Sequence, residues 1–145
     1  GFPFFYYPLR LEGWYKYKAG PTFSSKGKPV EGRKDECDIY GVLYETDDNV
    51  QFLDGSTSLN SPNIVALARN IKELPETDIW KQFNFKPQNG KSIDPDKLGK
   101  GIYKLAIVFS SSVDGAKFEG AVGSTLYIDK VTIAHTSNPD EYANQ

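Results

Sequence analysis

From Leu9 to Lys18 the chain alternates with a period of two. Leu9, Leu11, Tyr15 and Tyr17 stand on one side, and Arg10, Glu12, Trp14, Lys16 and Lys18 on the other. This is the pattern of a half-buried strand with one apolar and one charged face, not of a helix. The first strand is read as Arg10 to Ala19, and Gly20-Pro21 ends it, because proline cannot donate to a sheet ladder. The same unit, a strand-sized run closed by Gly, Pro, Asn, Asp or Ser, recurs down the chain and predicts an all-β sandwich or barrel. Helical periodicity is nearly absent. Even the short apolar run from Ile64 to Ile71 is rich enough in Val and Ile to be a strand, and it sits within one expected over 63–72.

Further strands follow from the same pattern. Asp38 to Glu45 places Tyr40, Val42 and Tyr44 on one face and Ile39, Gly41 and Leu43 on the other, so it is expected at the centre of a sheet. Thr46 to Asn49 is a turn, with a short strand continuation over Val50–Leu53 before Asp54-Gly55. Asp78 to Lys86 alternates Lys81, Phe83 and Phe85 with Trp80, Gln82, Asn84 and Lys86. In Gly101 to Ser110, Tyr103, Leu105, Ile107 and Phe109 face one way. In the last strand, Ser124 to Thr136, the apolar positions change from even (Leu126, Ile128) to odd (Val131, Ile133). A one-residue β-bulge at Asp129-Lys130 restores the register. The stretches 23–36, 56–62 and 88–100, the last with Asn89-Gly90 and Asp94-Pro95, read as polar loops. Residues 137–145 read as a tail after a single domain over 1–136.

A chain of 145 residues with a net charge of -2 has room for one core and lacks the basic excess that a nucleic-acid face needs. No run of about 18 apolar residues is present, so no membrane-spanning helix is expected. The chain begins at Gly1 and contains no methionine, which reads as a processed or excised piece with any export signal upstream. Cys37 is the single cysteine and His135 the single histidine, nearly a hundred residues apart. A Cys–His nucleophile or a zinc site therefore has little to build on.

The candidate functional residues lie on the polar strand faces. Trp14 and Trp80 each share such a face with polar neighbours, and with Arg10, Lys16 and Gln82 they make a candidate ligand-binding set. Their rings offer a flat surface on which the apolar face of a sugar can stack. Asp129, at the expected bulge, is a candidate ligand for a structural calcium ion. A glycosidase would need two carboxyl groups across a cleft. Glu12, Glu45, Asp47, Asp48, Asp114, Glu119 and Asp129 are available, but none sits in a local motif for an acid or a nucleophile. Ser110–Ser112 lacks a Gly-x-Ser-x-Gly elbow.

Three stretches carry a family resemblance. The opening Gly1-Phe2-Pro3-Phe4, followed by Pro8-Leu9-Arg10-Leu11-Glu12-Gly13-Trp14-Tyr15-Lys16-Tyr17, resembles the start of the putative carbohydrate metabolism domain family. Asp38 to Tyr44 is similar to its next strand. The segment from Ile107 to Val131, with its serine run, Gly120-Ala121, Gly123-Ser124 and Leu126-Tyr127-Ile128-Asp129, is similar to its close. The resemblance implies a jelly-roll β-sandwich like that of carbohydrate-binding modules. It also implies an exported or cell-surface lipoprotein of the Bacteroidetes, anchored through an upstream region, with an N-terminal immunoglobulin-like domain in the parent chain. It carries no catalytic residues. Three functions are therefore expected, in order: a non-catalytic glycan-binding module, a structural or adhesive module without a small ligand, and a glycoside hydrolase.

Overall fold

The computed structural model describes residues 1–54, 57–88 and 90–144. Its long strands are β2 (Tyr7–Lys18), β5 (Asp38–Glu45), β6 (Ile64–Arg69), β7 (Thr77–Phe85), β8 (Tyr103–Ser110) and β10 (Thr125–Thr136), joined by the two-residue β1 (Phe2–Pro3). They form two antiparallel sheets, one in the order β1-β8-β5-β6 and the other in the order β10-β2-β7. The short strands β3 (Phe23–Ser25), β4 (Lys28–Pro29) and β9 (Glu119–Ala121) make a third sheet in the order β4-β3-β9. The chain is thus nearly all β, as its alternation predicts.

The two larger sheets share one core. Leu11, Tyr15 and Tyr17 of β2 and Phe83 and Phe85 of β7 pack with Ile39 of β5 and Ala68 of β6. Leu126, Ile128, Val131 and Ile133 of β10 join the same cluster. The expected bulge is present: Asp129 pairs with Trp14 and Thr132 with Glu12, so Lys130 and Val131 together oppose Gly13. Lys130 takes the left-handed conformation, φ 52°, and the extra residue turns Val131 and Ile133 inward beside Ile128. Gly13 is small for a reason. A Cβ there would lie 2.5 Å from Cζ of the buried Phe83 ring.

A second register shift, between Ala134 and His135, leaves Leu9 as the extra residue of β2. Leu9 is therefore half-buried rather than part of the inward row. Ile107 is the last residue of β8 packed on the shared core, and Phe109 beyond it is exposed.

β5 lies between β6 and β8 and is buried on both faces, as its two apolar faces predict. Ile39 faces the shared core, while the Tyr40 hydroxyl meets Ser58 Oγ at 2.6 Å under the 57–63 segment. Gly41 borders a gap of about 20 Å³ with Leu11, Leu43 and Ala68. A Cβ there would sit 3.5 Å from Leu11 Cδ2, an ordinary contact. Gly41→Ala should therefore stabilise the fold by about 1 kcal/mol, because it removes backbone entropy from the unfolded chain and adds buried carbon. Urea unfolding reads this directly; a lower midpoint would mean that the gap is tighter than it looks.

Several stretches read as loops carry structure. Within 23–36, β3 and β4 form a hairpin whose turn residues Lys26 (φ 51°) and Gly27 (φ 83°) are both left-handed, as a type I′ turn requires. Within 88–100 lies α1 (Pro95–Gly99), where Asp94 caps the Asp96 N–H at 2.9 Å and Pro95 opens the first turn. The 137–145 stretch holds α2 (Pro139–Ala143), whose Tyr142 ring packs 5.8 Å from that of Tyr7. Val50–Leu53 forms no strand. Gly55, Ser56, Asn89 and Gln145, within the turns, loop and tail expected there, lie outside the described residues.

One buried carboxylate holds the closing segment in place. Asp35 is 3 % exposed. It accepts hydrogen bonds from Ser112 Oγ (2.5 Å), Ser124 Oγ (2.6 Å) and the Ala121 N–H (3.0 Å), and its other oxygen from the Glu36 N–H (3.0 Å). Ser124 Oγ in turn accepts from the Gly20 N–H at 3.0 Å. A second buried acid, Asp38, is gripped by Arg69 through Nε and Nη2 at 2.7–3.2 Å.

Burial pushes the Cys37 thiol from 9.0 up to about 12, helped by the neighbouring acids Asp38, Glu36 and Asp35. Burial likewise lifts the Tyr15 and Tyr17 phenols from 10.0 to about 12. Both hydroxyls donate to backbone carbonyls, Tyr15 to Pro75 (2.8 Å) and Tyr17 to Ser111 (2.7 Å). The folded chain holds these protons more tightly than the unfolded chain. The stability they contribute is thus intact below about pH 9 and is lost as pH rises toward about 12. Urea midpoints should fall steadily across that window, and Cys37→Ala should flatten its lower part. A midpoint that stays level through the window would contradict this.

Candidate functional site

The outward side of the β10-β2-β7 sheet is the polar face read from alternation, and the register assembles it. Trp14 stands between Gln82 of β7 and Asp129 of β10. One step toward the end of β2, Lys16 pairs with Tyr127, and its ammonium lies 4.8 Å from the centroid of the Trp80 ring and 5.9 Å from that of Tyr127. In the other direction Glu12 stands between Asn84 and Thr132. Trp14, Trp80 and Tyr127 are 38 %, 43 % and 56 % exposed. Large rings left in water on a polar sheet face, three of them on adjacent strands, are the informative departure from ordinary burial.

Open grooves lie at both ends of this face. Near the end of β2, a groove of about 560 Å³ is lined by Lys16, Lys18, Glu76, Thr77, Asp78 and Tyr127. At the start, one of about 520 Å³ lies between α2 and the sheet, lined by Arg10, Glu12, Lys86, Ala134, Glu141 and Asn144. Arg10 and Lys16 are six residues apart on one strand, so about 20 Å separates them. Of the expected binding set, the structure therefore brings Trp14, Trp80, Lys16 and Gln82 together and places Arg10 at the opposite groove. Tyr127 belongs to the cluster and escaped the sequence reading, although its position between the inward Leu126 and Ile128 marked it as outward.

Asp129 is exposed beside Trp14. Among the described residues no three His, Cys, Asp or Glu side chains come together, so a calcium ion at this bulge would rest on backbone and solvent oxygens.

The other chemistries weighed from the sequence have partners elsewhere. Cys37 is fully buried and its thiol strongly disfavours ionisation, the reverse of a nucleophile. Ser112 donates to Asp35. His135 packs its ring 4.6 Å from Tyr6, with Nδ1 3.0 Å from the Ile133 carbonyl. Among the carboxylates, Asp114 and Glu119 both hold Arg33 (3.2 and 2.9 Å), and Glu45 is bound by Lys97. Asn63, with the N–H groups of Asn49 and Val50, holds Asp47 below the usual carboxylate range. Lys34, with the Ala19 N–H, does the same for Glu76 in the Lys16 groove. A glycosidase acid needs the opposite shift. Glu12 and Asp129 are the two of these carboxylates that share the tryptophan face, diagonal to one another across the bulge.

The family of the putative carbohydrate metabolism domain matches residues 1–134. The chain belongs to this family. Two solved structures are similar to it. One is a putative glycoside hydrolase from Bacteroides thetaiotaomicron VPI-5482, with 48% identity and a TM-score of 0.90 over 95% of this chain and 41% of that one. The other is a putative glycoside hydrolase from Bacteroides vulgatus ATCC 8482, with 41% identity and a TM-score of 0.84 over 92% of this chain and 54% of that one. The chain thus spans about half the length of these relatives. Among curated proteins none matches. The motifs that carry the family resemblance now have physical roles. Gly13 admits the Phe83 ring, and the Ser112 and Gly120–Ser124 stretches close around Asp35.

Proposed function

We propose that this domain is a non-catalytic carbohydrate-binding module of an exported or cell-surface protein, and that it grips glycan on the outer face of the β10-β2-β7 sheet. The observation that carries the reading is the exposure of Trp14, Trp80 and Tyr127 together on one polar face. A sugar ring has an apolar C–H face that stacks on an aromatic ring, and hydroxyls at its edge that need donors and acceptors. Gln82, Asn84, Glu12 and Thr132 supply those around the rings. The antiparallel two-sheet core and the family support a jelly roll of the kind carbohydrate-binding modules use. The parent chain is taken to carry the immunoglobulin-like domain upstream, with export to the periplasm or cell surface.

The hydrolase reading is second. It is favoured by Glu12 and Asp129 standing on the same face, since a glycosidase needs two carboxyl groups across one cleft. The lowered carboxyl of Glu76, held by Lys34 and the Ala19 N–H, weighs for binding alone.

The chain has two tryptophans and both are on the candidate face, so intrinsic fluorescence tests the reading without labels. Bound oligosaccharide should shield both rings and reduce acrylamide quenching by about half, as expected when exposed apolar surface is covered. Unchanged quenching across neutral and acidic glycans would point to the structural or adhesive role. Release of reducing ends, lost in Glu12→Gln, would instead make the domain a hydrolase.

A further inference from the structure

The Lys16 groove has a charge pattern that the reading of the face as a glycan platform does not itself require. Among the described residues, Lys16 and Lys18 enter no ion pair. The nearby carboxylate of Glu76 is already engaged by Lys34 and by the Ala19 N–H at 2.8 Å. The Lys16 head is held instead between two rings, 4.8 Å from Trp80 and 5.9 Å from Tyr127. Such a bracket orders a long side chain but satisfies none of its three N–H donors with an acceptor. The ammonium is thus set in place beside two stacking surfaces, with its hydrogen bonds left to solvent or to a ligand. Asp78, lining the same groove, offers acceptors suited to hydroxyl donors.

One class of ligand meets both demands within a single residue. A hexuronate has an apolar pyranose face for a ring and a carboxylate at the ring edge for an ammonium. A neutral hexose offers the first without the second. We propose that the Lys16 end of the groove binds a uronate residue, its ring stacked on Trp80 or Tyr127 and its carboxylate paired with the Lys16 ammonium. The proposal rests on reading this face as a glycan platform, and it adds the class of sugar.

The test compares oligosaccharides of galacturonate, of mannuronate and guluronate, and of glucuronate, each against its carboxyl-reduced neutral counterpart, by calorimetry on the wild-type chain and on Lys16→Gln. At least one uronan should bind about tenfold more tightly than its reduced counterpart, as expected for one charge-assisted hydrogen bond. Lys16→Gln should remove that preference, so that each uronan binds no more tightly than its reduced counterpart. Equal binding of every acidic and reduced pair would overturn the uronate assignment and leave the platform reading intact. So would a preference unchanged by Lys16→Gln, or tighter binding of sulfated sugars than of any uronan. No binding of these pairs or of a neutral glycan panel would overturn both readings.

Discussion

Asp35→Ala should lower the stability of the domain by about 3–5 kcal/mol, the largest single effect outside the hydrophobic core. The carboxylate is buried and accepts from two hydroxyls and two backbone N–H groups. Alanine would leave the Ala121 N–H and the Ser112 and Ser124 hydroxyls without their acceptor in a site closed to water. Domains of this size have about 5–15 kcal/mol in total, so the loss is a large fraction of the whole. The melting temperature should fall by about 10–15 °C. Asp35→Asn keeps one acceptor oxygen and should fall between the two. A change below about 1 kcal/mol in urea unfolding would show that water replaces the carboxylate, contrary to the burial seen here.

The second large effect is on binding. Trp14→Ala and Trp80→Ala should each weaken glycan affinity by about ten- to a hundredfold, taking a stacked ring as worth about 1–3 kcal/mol, as for bases on aromatic side chains. Together they should abolish measurable binding. Both rings are partly in water and stand on the outward face, so neither change opens a core cavity, and stability should move by less than about 1 kcal/mol. The split between binding and stability is the informative part. If the variants unfolded more readily in proportion to their loss of affinity, the rings would be acting as packing.

Much of this face was legible in the chain because alternation is a local signal. Trp14 and Lys16 on β2, and Trp80 and Gln82 on β7, fall on the outward side by counting alone, and the change of phase at Asp129-Lys130 locates the bulge. The pairing of strands was not legible. Nothing local says that Trp80 approaches Lys16, or that Arg10 lies at the far groove, because those facts depend on register across the sheet. Asp35 was hidden for the same reason: its partners Ser112, Ala121 and Ser124 are 77, 86 and 89 residues away. It sat in a polar stretch that reads as loop. The helices α1 and α2 are five residues each, too short for periodicity to register, and only their caps, Asp94 and Asn138, betray them. The β3–β4 hairpin turns on Lys26-Gly27, a weaker signal than Asn-Gly.

On the proposed reading, the Trp14–Trp80–Tyr127 face binds carbohydrate without cleaving it. Calorimetric titration of a panel of neutral and acidic oligosaccharides, run on the wild-type chain and on the Trp14→Ala/Trp80→Ala double variant with the sugars recovered and sized afterwards, tests this most directly. Saturable heat is expected with at least one sugar, with its loss in the double variant and intact sugars at the end. Binding that survives the double variant, or shortened sugars, would contradict it.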